Sequence, residues 1–105
     1  MNWLALVFAG LFEIGWPIGL KMAQNPGVNK YPWIFLAVFS MAVSGTLLFI
    51  AQKTIPIGTA YAVWTGIGAV GTLIVGILFF GDSANVARML SALFIVAGII
   101  GLKLF

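Results

Sequence analysis

Residues 3–22 read WLALVFAGLFEIGWPIGLKM. At 1.5 Å per residue a helix of this length covers the ~30 Å hydrocarbon core of a bilayer. Its interior carries one ionisable group, Glu13, with Lys21 near the far end. A carboxylate at membrane depth is disfavoured by at least ~2.5 kcal/mol, so such a residue faces a cavity or a partner and marks an ion or proton path. A cleaved leader fits the stretch poorly: no Lys or Arg precedes the apolar run, Glu13 interrupts it, and no small-residue cleavage site closes it.

The rest of the chain repeats the pattern. Further apolar spans run over about 32–51, 56–80 and 86–104, so residues 1–105 are expected to form a single four-helix transmembrane domain. Overall, 63% of residues are hydrophobic and 7% charged, too apolar for a soluble fold of 105 residues to hide. The fold class expected is all-α membrane protein, because lipid offers backbone groups no partner outside the helix. Asn25-Pro26-Gly27 signals a turn, and Pro32 and Pro56 suit first helical turns. Gly81 suits a C-terminal cap, and Asp82, Ser83 or Asn85 can cap the last helix.

The function classes excluded are clear. Cys and His are absent, which removes disulfides, thiolate or imidazole metal sites and Cys- or His-based catalysis; no cofactor, metal or enzyme activity is expected. The basic residues are scattered singly at positions 21, 30, 53, 88 and 103, so nucleic acid is not a partner. With a cytoplasmic amino terminus, that side holds the terminus, Lys53 and Lys103, and the other holds Lys21, Lys30 and Arg88. The charge bias that sets orientation is nearly nil. One fixed orientation and a dual topology fit this balance equally. Small residues at Gly15/Gly19, Gly68/Thr72/Gly76 and Ser91/Gly98 permit close helix approach, and four helices alone enclose a polar cavity poorly, so a homodimer is expected.

Around Glu13 the helical repeat gathers Trp16, Pro17 and Leu20 on one face. Pro17 has no N–H for the carbonyl of Glu13. A buried indole needs an acceptor, which favours a functional Trp16 over a filler. On the third span Tyr61, Trp64, Thr65 and Gly68 share a face whose rings suit a cation; ordinary packing is the alternative. Ser40 and Ser44 lie one turn apart on the second span and can equally bond their own helix. Residues 66–71 spell GxGxxG, but within a spanning helix and without a following acid this is no dinucleotide site; its glycines soften or thin the helix.

Three stretches go further. KTIPIGTAYAVWTGIGAVG at 53–71 closely resembles the third-helix signature of small multidrug resistance transporters, and GLFEIGW at 10–16 and AGIIGLK at 97–103 match in order and separation. The resemblance covers nearly the whole chain. It implies a dual-topology, antiparallel homodimer in the bacterial inner membrane that exchanges protons for cations. Tryptophan three residues after the glutamate, with the TGIGAVG run, resembles the guanidinium-exporting subtype. By the same matching, Glu13 corresponds to the shared substrate and proton site, and Ser44, Tyr61 and Trp64 to binding-site positions. Trp16 and Ser44 are then expected to orient Glu13, Tyr61 to donate to it, and Trp64 to wall the pocket. The last span, with Ser91 and Gly98, is expected to carry much of the dimer contact. Pro17, a first loop (22–30) about two residues longer than usual, and Gly45-Thr46 depart from the pattern and point to a wider pocket.

The resulting expectation is an alternating-access guanidinium/proton antiporter. A planar cation with paired N–H groups matches a carboxylate. The alternatives are a broader antiporter for quaternary ammonium ions and an accessory subunit in which Glu13 only bonds between helices.

Overall fold

The computed structural model describes residues 2–105; the amino terminus counted in the charge balance lies outside them. The first span is two helices, α1 (Asn2–Glu13) and α2 (Gly15–Ala23), followed by α3 (Lys30–Ala51), α4 (Ile57–Phe79) and α5 (Val86–Leu104). With α1 and α2 taken together, the described residues hold four helical spans long and apolar enough to cross a membrane. The break falls where Pro17 withholds its N–H from the Glu13 carbonyl. There Ile14 N–H turns back to Leu11 O at 3.2 Å, and the next i→i−4 bond, Ile18 to Ile14, stretches to 3.5 Å.

The punctuation is mostly as expected. Val28 N–H reaches Asn25 O at 3.2 Å across the Asn-Pro-Gly turn. Asn29 caps α3 ahead of Pro32, and the Asn85 side chain accepts from Arg88 N–H at 2.9 Å. Pro56 is a correction: it is the N-cap of α4, with extended backbone (ψ 143°), and stands just outside the first turn. Gly81, at φ +75°, adopts the left-handed conformation that ends α4.

The helices form a flat slab, 47 × 34 × 17 Å. α1 packs on α3 and α4, α2 on α3, and α5 principally on α4. Between helices in lipid, close packing rather than water exclusion supplies the attraction, so small residues matter. Gly15 and Gly19 do this within the protomer: a methyl group on Gly15 would strike the Ser40 hydroxyl, and one on Gly19 would stand 2.7 Å from Trp33 O. Leu6 and Val63 are fully buried, with Ala51, Ile55 and Ala60, at the Trp3 end of the slab. α5 has no buried residue, and Gly98 and Gly101 face open space.

Candidate functional site

Glu13 is the last residue of α1, partly buried, against α4. Its side chain rests on Gly68, where an added Cβ would lie 2.6 Å from the Glu13 Cγ. The neighbouring Ile14 side chain occupies the equivalent gap at Gly71. Gly68 and Gly71 are therefore seats for the α1–α2 junction, whereas Gly66 receives Ile95 and Ile99 of α5. The two seats let a broken helix lie close to α4 and hold its carboxylate at a fixed height.

The Trp16 indole N–H donates to Glu13 Oε1. Spacing of i and i+3 across the break allows this, because α2 starts in the same right-handed sense that α1 ends in. A cleft of about 500 Å³ opens beside the carboxylate, lined by Glu13, Trp16, Tyr61, Trp64, Thr65 and Thr72 among others. The Tyr61 and Trp64 rings lie 5.5 Å apart at 60°, a tilted pair forming an aromatic wall. Tyr61 is 56% exposed.

Two expected hydrogen bonds to Glu13 are not made within the protomer. Ser44 is 1% exposed, and its hydroxyl does not reach Glu13. It donates to Ala9 O at 2.7 Å and accepts from the Trp64 indole N–H at 2.8 Å. The cause is depth: Ser44 faces Ala9, one helical turn before Glu13, where α1 and α3 touch. Ser44 therefore holds the aromatic wall rather than the carboxylate. The Tyr61 hydroxyl likewise makes no hydrogen bond to Glu13 among the described residues; its ring leans on Trp64 instead.

Three further features change the picture. Thr72, read from sequence as a packing residue, lines the cleft. It continues the face of Tyr61, Trp64, Thr65 and Gly68 by one more turn, and that periodicity is the signal that could have found it. Gly45 has open space around it, and Thr46 bonds its own helix at Ala42 O (2.8 Å), so neither widens this cleft. Ser91 similarly bonds Ala87 O at 2.8 Å. No cluster of potential metal ligands occurs among the described residues.

Known proteins resemble this chain closely. A family model described as Small Multidrug Resistance protein matches residues 1–96. A guanidinium exporter of Salmonella typhimurium (strain LT2) is 52% identical over 104 residues, covering 99% of this chain and 97% of the relative. A guanidinium exporter of Yersinia pseudotuberculosis serotype I is 54% identical, covering 99% and 98%. One of Citrobacter freundii is 53% identical over the same length of this chain.

Proposed function

Because the chain belongs to the Small Multidrug Resistance family, we propose that this multi-pass membrane protein exports guanidinium in exchange for protons across the bacterial inner membrane. The single observation carrying the chemistry is a carboxylate at a helix break, bonded by an indole and open to an aromatic cleft. Trp16 occupies one side of Glu13 Oε1, and among the described residues Oε2 accepts no hydrogen bond. A planar cation can donate paired N–H groups to the free lone pairs while its face meets Trp64 or Tyr61. The Glu13 carbonyl, without an N–H from Pro17, adds a backbone acceptor beside the carboxylate. Interrupted spanning helices place ion sites in this way in other transporters. Guanidinium export by the similar proteins supports the same substrate.

Coupling follows if proton and cation compete for Glu13. The protonated and the cation-loaded forms are neutral at this position and cross between states; the empty anion does not. Two antiparallel copies would supply the missing wall of the cleft and expose it alternately to each side. In proteoliposomes a guanidinium gradient should drive protons the opposite way, and Glu13→Gln should abolish that movement. Undiminished exchange in the variant refutes the scheme. A second reading, transport of larger substituted guanidines, is favoured by a cleft of about 500 Å³, within the ~300–1,000 Å³ range of drug-sized pockets. Competition by alkylguanidines, with tetraalkylammonium ions as the contrast, separates the readings.

A further inference from the structure

The cleft around Glu13 does not end at Thr72. A second cavity of about 310 Å³ adjoins it, and Pro17 and Thr72 line both. The second cavity lies at the Lys21 end of the bundle, with Lys21 of α2 on one wall and Asp82, after α4, on the other. Asp82 is the only acidic residue besides Glu13. Its position is built by the backbone. Gly81 turns at φ +75°, and Asp82 N–H comes back to Gly76 O at 3.0 Å. The carboxylate then lies over Gly76, where a Cβ would collide with it. Gly68 thus seats one acid and Gly76 the other on a single face of α4, about 12 Å apart along the helix axis at 1.5 Å per residue. Thr72 stands between them. Asp82 is exposed, and among the described residues none of the side-chain hydrogen bonds engages its carboxylate.

We propose that this second cavity is the water-side mouth of the Glu13 passage, and that Asp82 receives a guanidinium-type cation there before it moves inward. The inference rests on Glu13 being the inner cation site. A cation leaving water for an apolar cleft meets a desolvation barrier, and a carboxylate at the mouth lowers that barrier in both directions. The seats of the two acids are about 12 Å apart along α4, and Asp82 stands exposed, where salt screens a charge over ~8–10 Å. Asp82 therefore changes the rates of entry and exit together and leaves inner-site affinity alone. Lys21, on the opposite wall, repels the cation and must be separated from the effect of Asp82.

The test is line-shape NMR of the Trp16 and Trp64 indole N–H signals, with the full chain in lipid nanodiscs titrated with guanidinium. Asp82→Asn should lower the association and dissociation rates by the same factor, about tenfold, with Kd unchanged. It should also flatten the salt dependence of association, and Asp82→Glu should keep most of the wild-type rate. Lys21→Gln should speed association, while Lys21→Gln/Asp82→Asn should stay slower than wild type. Wild-type rates in Asp82→Asn overturn the inference. Full recovery in the double variant also overturns it, since Asp82 would then merely neutralise Lys21. If guanidinium moves neither indole signal in the wild-type protein, the inner site fails first; an intact wild-type response with unaltered Asp82→Asn rates sinks the mouth alone.

Discussion

Gly68→Ala tests whether the position of Glu13 is set by α4. The added Cβ would stand 2.6 Å from the Glu13 Cγ and 3.1 Å from its Cβ. Ordinary carbon contacts lie at 3.5–4.0 Å, so the overlap is about 1 Å and falls on the stem of the side chain. A flexible tip could swing away; the Cβ and Cγ can do so only if α1 moves or the carboxylate leaves Trp16. Overpacking of this kind costs about 1–3 kcal/mol. At ~1.36 kcal/mol per decade, that is roughly 5- to 160-fold in guanidinium affinity if the strain is relieved by moving the carboxylate. Calorimetric titration gives the affinity, and the Trp16 indole N–H chemical shift reports whether its bond to Glu13 survives. Gly45→Ala is the matched control, since nothing lies within 4 Å of the new methyl group. Wild-type affinity together with an unmoved Trp16 signal in Gly68→Ala would refute the reasoning.

Three other outcomes are expected. Ser44→Ala removes the acceptor of the Trp64 indole, and an unpartnered polar group costs about 1–3 kcal/mol when buried; the Trp64 N–H resonance should shift and guanidinium affinity fall, while the Trp16 resonance stays in place. Pro17→Ala restores an N–H for the Glu13 carbonyl and removes a residue disfavoured by ~3 kcal/mol inside a helix; hydrogen exchange at the 13–18 junction should slow, and transport with it. Lowering the pH should weaken guanidinium binding by up to tenfold per unit where one proton competes for one carboxylate, and binding to Glu13→Gln, measured by the same titration, should lose that dependence.

Much of this architecture was legible in the sequence because lipid simplifies the problem. A span must be long, apolar and helical, so 32–51 and 86–104 could be placed within two residues of the observed ends. The interruption of the first span was legible too, since Pro17 removes a specific hydrogen bond from a specific carbonyl. What the sequence could not supply was depth across helices. Ser44 and Glu13 each lie on an inward face, but only the packing of α3 on α1 decides that Ser44 meets Ala9. The same holds for Gly68 and Gly76. Small residues at i and i+8 signal close approach, whereas the structure fills both gaps with carboxylate side chains. The identity of the neighbour is a tertiary fact with no local trace.

The thinness of the slab connects these details to the proposed transport cycle. At 17 Å in its shortest dimension it offers little depth in which to enclose a polar side chain. Glu13 is therefore only partly buried, and α5 contributes no buried residue. An anionic side chain facing hydrocarbon on one side is unfavourable, so a lone protomer leaves the Glu13 site without a complete wall. In the proposed dimer the second copy supplies the missing wall and brings a second Glu13 to the same cavity. Competition between proton and cation then becomes a property of the assembled site. Dilution in detergent checks this directly: guanidinium-induced proton release should disappear in step with dimer dissociation measured by sedimentation. Release that persists in monomers would show that one protomer already holds a complete site, and the need for a partner would have to be sought elsewhere than at Glu13.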